Sequence, residues 1–600
     1  MQTSGMRVLG NGAIVAHLDG AQLTWCVGPE FTMPTALSAR YGLPGGGPLT
    51  SSSTRAPRSM EWTSTLTDGP RQLGAVHDTV TPSSPCYVAD VELTEPVELR
   101  FEFPHADRVV PEQTAGGVSV LARIDRFGPV FVYPAGAEAF AGVHVSGTAP
   151  IELRHDGGSV TLALAPGSYT WQLLLGRRLS QVLAPLPESA RSAGARATAH
   201  YRRTVATVLP GGERLDALLR DHGVDCPPPG EQLIDASAYL ITAQQSAEGA
   251  VIAGPEFPLA YLRDSYGVSR ALLDLGLHDR AARLARFRVA KWQRFGDLAN
   301  AESIGHDRIR HRHENDDAEA PGYAMLQVLD ALAPESVDGL GDLLDWCWRA
   351  QVASLRDGVV PFNGDETYVA GGFLDRSFLR YGSFESTLVM IRSGERYAEF
   401  LTPRDPRRAA AVREVVQQTM SVFAERFGGP AGWLTAARVG GAVEERHGVC
   451  EACHDYPTWL VRNSGGRFVC VRCRDADLPP AAWHEVSVPT AQLLPALLPG
   501  PPVPHQTLID AARVAAGVLL DPGARSNGHD VGMCLMALPA GDPHVPGLLR
   551  QAVERFDRDA GWPERFRGDQ PDGSRRRPWE TALNLLALRT LADRHERTRT

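Results

Sequence analysis

Apolar and polar residues alternate along the first third of the chain with the period of two that a β-strand requires. In "VELRFEF", the apolar residues Val97, Leu99, Phe101 and Phe103 alternate with charged residues. The stretch "SVTLALAPG" repeats the alternation and ends in a Pro-Gly turn. Several such runs, separated by Gly, Pro and Asp, predict an N-terminal antiparallel β-sandwich domain over residues 1–205.

The hydrophobic period becomes helical after residue 230. Val268, Leu272 and Leu275 lie at i, i+4 and i+7, and Gly276 is placed to end that helix. An apolar face from Ala281 onward predicts the next helix, and further helices are predicted near residues 321–333, 340–355, 383–401, 406–427, 505–520, 546–557 and 578–596. Paired antiparallel helices of this kind suit a closed toroid or an open solenoid, which periodicity alone does not distinguish. We assign residues 231–600 to a helical domain and residues 206–230, which include the Pro-rich "DCPPPGE", to a linker.

The composition is that of a globular protein, with 43% hydrophobic and 22% charged residues. A chain of 600 residues is too long for one ordinary core, which supports a division into two or three domains. The formal net charge of -10 argues against nucleic acid or an anionic membrane as the main partner. No apolar run approaches the roughly 20 residues that cross a bilayer, and the first residues lack a signal-peptide pattern, so we expect a cytoplasmic protein.

Four of the nine cysteines form two pairs, "CEAC" and "CVRC", with sixteen residues between the pairs. Two residues within each pair allow both thiolates to bind one tetrahedral ion, and the gap fits a short hairpin. The spacing predicts a structural zinc site in a small zinc-ribbon-like insertion at residues 445–480, with the ligands Cys450, Cys453, Cys470 and Cys473. Four unligated thiols are the alternative. Four sulfur ligands leave no open coordination position, so the zinc is not expected to perform the main reaction.

Polar segments lie between the predicted helices, where the loops at one end of a helical barrel would collect. "YLRDSYG" carries Arg263, which can donate to hydroxyl groups, and Asp264, which can accept from them or simply cap the helix. The segment "HRHENDDAEAPGY" could be a metal site, a solvated loop or part of a pocket that binds a polar ligand. We favour the pocket, because vicinal hydroxyls need several fixed acceptors such as Glu314, Asn315 and Asp316.

Two further segments combine carboxylates with apolar or aromatic residues. Asp365 and Glu366 lie in the mostly apolar "VVPFNGDETYVAGG". Glu564 closely follows Trp562 in "GWPERF", and Glu580 lies in "RPWETALNLLAL". A carboxylate among aromatic residues can have a raised pKa and act as an acid, or it can be an exposed turn residue.

These features together resemble glycoside hydrolase family fifteen, the glucoamylases and their prokaryotic relatives. The resemblance rests on a β-sandwich followed by helices, on "RDS" after an aromatic stretch, and on the early "LGNGAIVAHLDGAQLTWCVGPEF". It implies a fold in which the β-sandwich precedes an (α/α)6 toroid. It also implies that Arg263 and Asp264 hold the terminal sugar and that Glu314 to Asp317 line the substrate pocket.

The same resemblance implies two catalytic carboxylates. Glu366 corresponds to the general acid and Glu564 to the general base, with Glu580 as the competing base; Asp365, Trp562 and Glu580 would line the substrate site. An acid and a base on opposite faces of the sugar invert the anomeric centre and need no organic cofactor. We therefore expect an inverting glycoside hydrolase of α-linked glucosides or related oligosaccharides, with the sugar, the linkage and the oligomeric state left open.

Two other functions remain possible from the sequence. One is a glycoside phosphorylase on the same barrel, in which Arg575, Arg576 and Arg577 of "GSRRRPW" would bind phosphate. The other is a non-catalytic sugar-binding or scaffold protein that uses the cysteine segment to dock a partner.

Overall fold

The structure is a computed structural model. It describes residues 5–28, 36–114, 116–124, 139–205, 211–224, 230–255, 258–305, 319–361, 382–429, 432–433, 445–448, 452–453, 458–462, 468–470, 473, 493–498 and 503–599. Six of the predicted site residues, namely Glu314, Asn315, Asp316, Asp365, Glu366 and Cys450, lie outside this range.

The N-terminal part consists of two antiparallel sheets. Their strands are β1 Met6–Gly10, β2 Val15–Asp19, β3 Gln22–Val27, β4 Ser38–Gly42, β5 Thr50–Arg55, β6 Trp62–Asp68, β7 Arg71–Val80, β8 Cys86–Leu93, β9 Val97–Glu102, β10 Ala106–Thr114, β11 Gly117–Ile124, β12 Ala139–Gly147, β13 Ile151–Asp156, β14 Ser159–Leu164 and β15 Gly167–Gly176. One sheet has the order β1-β2-β3-β4-β9-β14-β13, and the other has the order β10-β11-β12-β15-β8-β7-β6-β5.

The alternation read from the sequence places the apolar side chains between the sheets. In β9, Val97, Leu99 and Phe101 are buried while the charged residues between them are not. The indole of Trp171 on β15 lies 5.3 Å from the Phe101 ring and donates to the Tyr41 hydroxyl on β4 at 2.8 Å. The two sheets therefore pack face to face, and the predicted antiparallel sheets are confirmed.

The rest of the described chain is mainly helical, as predicted. The helices are α1 Ala190–Thr204, α2 Gly212–Asp221, α3 Gly230–Ala243, α4 Leu262–Asp274, α5 His278–Phe295, α6 Glu319–Ala331, α7 Pro334–Val337, α8 Gly341–Ser354, α9 Phe384–Leu401, α10 Pro406–Phe427, α11 Leu494–Leu497, α12 His505–Leu519, α13 Asp530–Ala537, α14 Val545–Arg555 and α15 Pro578–Arg599, with short 3-10 turns at Leu179–Gln181 and Asp338–Leu340. Short strands lie between them: β16 Leu259–Tyr261, β17 Ala301–Ser303, β18 Gly428–Gly429, β19 Gly432–Trp433, β20 Glu445–Gly448, β21 Thr458–Arg462, β22 Phe468–Cys470, β23 Arg525–Asn527, β24 Arg565–Arg567 and β25 Gln570–Asp572.

Five helices pack side by side in the order α9, α6, α4, α15, α13. Each of the five also contacts further helices: α9 contacts α10, α6 contacts α8, α4 contacts α5, α15 contacts α2 and α3, and α13 contacts α12. Helix α2 lies within residues 206–230, which we assigned to a linker. Its buried residues Leu215, Leu218 and Leu219 form an apolar face, and the helix packs against α3 and α15.

The sheets and the helices share one continuous cluster of buried apolar side chains. Polar contacts also join them. The hydroxyl of Tyr239 on α3 donates to the carbonyl of Val8 on β1 at 2.7 Å, and Arg55 on β5 pairs with Asp235 on α3 at 2.9 Å. The N-terminal sheets therefore form a fixed support beside the helices that carry the candidate site.

Candidate active site

Charged residues meet at the N-terminal ends of neighbouring helices. Arg263 and Asp264 lie in the first turn of α4, Glu319 is the first residue of α6, and Glu580 lies in the first turn of α15. All four are buried, with relative exposures between 1% and 8%. The ends of helices that are adjacent in the packing order therefore supply one common polar cluster.

Ion pairs connect these helix ends. The Arg263 guanidinium lies 3.8 Å from an Asp264 oxygen and 3.9 Å from a Glu319 oxygen. Arg577, which directly precedes α15, lies 3.7 Å from the other Asp264 oxygen, and its Nε donates to Glu580 at 3.2 Å. Arginine and carboxylate therefore alternate from α6 through α4 to α15, an arrangement that offers both donors and acceptors to a polyhydroxylated ligand.

Asp264 is not the N-cap residue of α4. Helix α4 begins at Leu262 and its N-cap residue is Tyr261, so Asp264 is the third residue of the helix. Its carboxylate lies beside Arg577 and Arg263, where an ion pair and the helix N-terminus both favour the negative charge.

A hairpin beside the cluster carries Glu564. The backbone amide of Glu564 donates to the Ser574 carbonyl at 2.7 Å, and the Ser574 amide donates to the Glu564 carboxylate at 3.1 Å. The backbone at Gly528 packs closely against this segment and against Glu580. A Cβ at that position would lie 1.8 Å from the Pro563 carbonyl oxygen and 2.9 Å from Glu580. Glu564 is partly exposed, unlike Glu580, of which 2% is exposed.

Trp562 packs beneath the hairpin. It is 1% exposed, its indole N–H donates to the carbonyl of Ala552 on α14 at 3.0 Å, and its ring lies 4.5 Å from the Phe556 ring. These contacts fix the start of the segment that leads to Glu564.

Burial and neighbouring charge set the ionisation of this cluster. Burial raises the pKa of Glu580 to about 7; Arg577 lowers it, and Asp264 and Glu564 raise it further. Burial lowers the pKa of Arg577, but the carboxylates of Glu580, Asp264 and Glu564 outweigh that effect and raise it overall. Burial, together with Arg263 and Arg577, lowers the pKa of His529 to about 3, so this histidine is neutral at physiological pH.

A second arginine supports the start of α4 from behind. Arg288 on α5 is fully buried and donates to the Ala260 carbonyl at 3.0 Å and to the Ser265 hydroxyl at 2.9 Å. These two contacts lie on either side of Arg263 and Asp264 in the chain, so Arg288 fixes the backbone that presents the pair.

The three consecutive arginines of "GSRRRPW" point in different directions. Arg575 lies 4.0 Å from Asp557, Arg576 donates to the Leu18 carbonyl at 3.3 Å, and Arg577 joins the buried cluster. These contacts give each of the three arginines a different partner.

Glu319 and His529 were not among the site residues predicted from the sequence, and Arg577 was named only as a phosphate ligand in the phosphorylase alternative. Glu319 lies at the end of the acidic segment and Arg577 lies three residues before Glu580, which are weak signals. Only the packing of α6, α4 and α15 brings them to Arg263 and Asp264.

A group of three cysteines could hold a metal ion. The sulfur atoms of Cys453, Cys470 and Cys473 all lie within 4.8 Å of one another, and those of Cys453 and Cys470 are 3.8 Å apart. Tetrahedral zinc with bonds of about 2.3 Å has sulfur ligands about 3.8 Å apart, so the group fits this metal. Cys470 lies on β22 in the three-stranded sheet β20-β21-β22.

No protein-family model matches the sequence, and no curated protein matches it. Among solved structures, a bacterial glucoamylase complexed with acarbose is similar with a TM-score of 0.70 at 10% identity, over 99% of this chain and 94% of that chain. The family GH92 alpha-mannosidase from Bacteroides thetaiotaomicron is similar with a TM-score of 0.50 at 10% identity, over 97% of this chain and 82% of that chain. The chain therefore has a glycosidase-like fold.

Within the described residues, we find no helix with the length and apolar character needed to cross a membrane.

Proposed function

We propose that the protein is an inverting glycoside hydrolase that cleaves α-glucosidic bonds of oligosaccharides or polysaccharides. The observation that carries this proposal is the buried cluster of Arg263, Asp264, Arg577 and Glu580 beside the partly exposed Glu564. It lies at the N-terminal ends of packed helices in a chain whose fold is similar to that of a glucoamylase.

The proposed architecture is an N-terminal β-sandwich domain of residues 1–205, a connecting segment of residues 206–230, and an (α/α)6 toroid of residues 231–600. The neighbouring order α9, α6, α4, α15, α13, in which each helix also contacts at least one further helix, supports the proposal of an inner and an outer ring. Residues 445–480 would form an insertion around a structural zinc held by Cys450, Cys453, Cys470 and Cys473. Thiolates held as metal ligands suit a reducing cytoplasm.

Arg263 and Asp264 would hold the terminal sugar. The guanidinium can donate to two neighbouring hydroxyls, and the carboxylate can accept from a third. Both groups are kept in place by ion pairs to α6 and to Arg577, so little side-chain freedom is lost when a sugar binds. Glu314, Asn315 and Asp316 would supply further acceptors along the same pocket.

Glu564 is the better candidate for the general base. A base that activates water must be ionised and must reach the solvent that enters the site. Glu564 is partly exposed and its carboxylate accepts the Ser574 amide, whereas Glu580 is almost fully buried against Arg577. We therefore propose that Glu580 orients Arg577 and that Trp562 holds the segment that leads to Glu564.

Glu366 would be the general acid, with Asp365 beside it. In an inverting reaction, the acid protonates the glycosidic oxygen while the base removes a proton from water on the opposite face of the ring. The water oxygen bonds to the anomeric carbon as the bond to the leaving oxygen breaks. The proton lost by the acid leaves with the alcohol product, and the base holds the proton from water.

A hydrolysis screen tests this proposal. Purified protein is incubated with trehalose, maltose, isomaltose, dextran, starch and aminosugar glycosides, with and without inorganic phosphate. We expect release of free sugar from at least one α-glucoside at a rate independent of phosphate, and loss of that release in Glu564→Gln. Sugar 1-phosphate as the product would identify a phosphorylase instead, and binding without turnover would identify a sugar-binding protein.

A further inference from the structure

Arg576 lies in a backbone conformation that non-glycine residues rarely adopt. Its φ is 63°, in the left-handed region, and the residue directly precedes Arg577 of the buried cluster. A strained residue of this kind persists only where its surroundings hold it. The contacts of Arg576 therefore show which parts of the protein hold it in this conformation.

Two of the contacts of Arg576 come from outside its own segment. Its side chain donates to the carbonyl of Leu18 on β2 at 3.3 Å. Its backbone carbonyl accepts from the side-chain amide Nε2 of Gln244, just after α3, at 3.0 Å. The side chain thus points to the N-terminal sheets, while the next residue points into the candidate site.

These two anchor points are themselves joined. A Cβ on Gly10 of β1 would lie 1.9 Å from the carbonyl oxygen of Ala243, and the Ala247 amide donates to the Gly12 carbonyl at 2.7 Å. The end of α3 is therefore packed directly on the first sheet, and Arg576 is held by one rigid unit.

The segment around Arg576 positions two groups of the candidate site, Glu564 and Arg577. Ser574, two residues before Arg576, holds the backbone and the carboxylate of Glu564. Arg577, one residue after it, contacts Asp264 and Glu580. A shift of the Arg576 peptide would therefore move both groups.

We propose that Arg576 is a positioning residue through which the N-terminal sheets fix the Glu564 hairpin and Arg577. The catalytic part of this inference rests on the proposed function. The anchoring itself can be measured without turnover.

The test compares Arg576→Ala with Arg576→Gly. Both lose the bond to Leu18, but glycine adopts the left-handed conformation without strain, whereas alanine does not. We expect hydrogen exchange of the segment 562–577 to be fastest in the alanine variant, intermediate in the glycine variant and slowest in the wild type. We expect kcat to fall about tenfold or more in the alanine variant and less in the glycine variant, because a misplaced base slows the chemical step.

Arg567→Ala is the matched control, because Arg567 lies on the same hairpin with its side chain 62% exposed. Gln244→Ala removes the second anchor and gives an independent variant if Arg576→Ala does not fold. Because both anchors hold one peptide, their combined effect should be smaller than the sum of the single effects.

If Arg576 served packing alone, Arg576→Gly would slow kcat and speed exchange at least as much as Arg576→Ala, and that result would overturn the proposal. Exchange rates and kcat of Arg576→Ala equal to those of Arg567→Ala would overturn it as well. If the wild type hydrolyses no glycoside, the proposed function fails, while the order of the exchange rates still decides whether Arg576 anchors the hairpin.

Discussion

In the proposed assignment, Glu580 supports the site and does not take part in the reaction itself. It is buried in the first turn of α15 and its carboxylate accepts from Arg577. Arg577 also lies close to Asp264, so one guanidinium serves two carboxylates. Glu580 thereby helps to orient the arginine that contacts the proposed sugar-holding pair.

The raised pKa of Glu580 makes stability depend on pH. The folded protein keeps this proton up to a pH of about 7, whereas the free side chain loses it near 4.5. Between these values the folded state binds more protons than the unfolded state, so stability falls as the pH rises. We expect a loss of roughly 3 kcal/mol across this window. In Glu580→Gln this contribution should vanish, which thermal unfolding of both proteins from pH 4.5 to 8 will measure; parallel curves would show that Glu580 titrates normally.

Arg263→Ala and Asp264→Ala test the proposed sugar-holding pair. Each change leaves a buried hydroxyl of the substrate without its partner, at a cost of about 1–3 kcal/mol. We expect kcat/KM for the best substrate to fall roughly tenfold to a hundredfold. Arg286→Ala, an exposed arginine on α5, is the control. Wild-type kinetics in correctly folded Arg263→Ala and Asp264→Ala would assign the pair to structure alone.

Among the elements, long amphipathic helices follow directly from the sequence. The predicted ranges 406–427 and 383–401 differ by at most one residue from α10 and α9, because a regular apolar period runs through each. Helices α3 and α13 were not predicted. Nearly every residue of both is buried, so they lack the polar face that makes a helical period visible.

The contact between α4 and α15 depends on a glycine. A Cβ on Gly267 would lie 1.9 Å from the Trp579 ring, so the close approach of the two helices requires that residue. We expect Gly267→Ala to destabilise the protein by about 1–3 kcal/mol through overpacking. It should also lower activity, because α4 and α15 carry the candidate site.

Gly517→Ala on α12 is the matched control. Among the described residues outside the helix's own backbone, no atom lies within 4 Å of the added Cβ, so the helix gains up to about 1 kcal/mol from the better helix former. Thermal unfolding should therefore move in opposite directions in the two variants, and a shift in the same direction would show that the spacing of α4 and α15 is not limiting.

The three-stranded sheet β20-β21-β22, which carries Cys470, gives a prediction of its own. Purified protein should contain about one zinc per chain, and Cys450→Ser with Cys470→Ser should remove it. Proteolysis within residues 445–480 should then accelerate, whereas the helical circular dichroism should persist, because α9, α6, α4, α15 and α13 pack without this sheet. Protein free of zinc after preparation in zinc-replete medium would contradict the assignment.

For the whole molecule, the sequence predicted antiparallel sheets followed by helices, because the hydrophobic period changes from two to the helical value. It also singled out Arg263, Asp264 and Glu580, which the structure brings together through Arg577. The participation of Arg577 and Glu319 could not be predicted, because contacts between residues far apart in sequence depend on how helices pack. The shared core of sheets and helices likewise leaves no local pattern.

The stereochemistry of the reaction tests the whole arrangement at once. If Glu366 is the acid and Glu564 the base, water attacks from the face opposite the leaving group, and the two carboxyl groups must lie roughly 6.5–9.5 Å apart. An α-glucoside should then release the β-anomer first, as nuclear magnetic resonance will show before mutarotation mixes the products. Glu564→Gln should slow every substrate, because water must be activated whatever the leaving group. Glu366→Gln should slow most the substrates with poor leaving groups, which depend on protonation. An α-anomer would require a nucleophile about 5 Å from the acid and a retaining reaction. Full activity in Glu564→Gln with loss in Glu580→Gln would instead transfer the role of base to the buried carboxylate of α15.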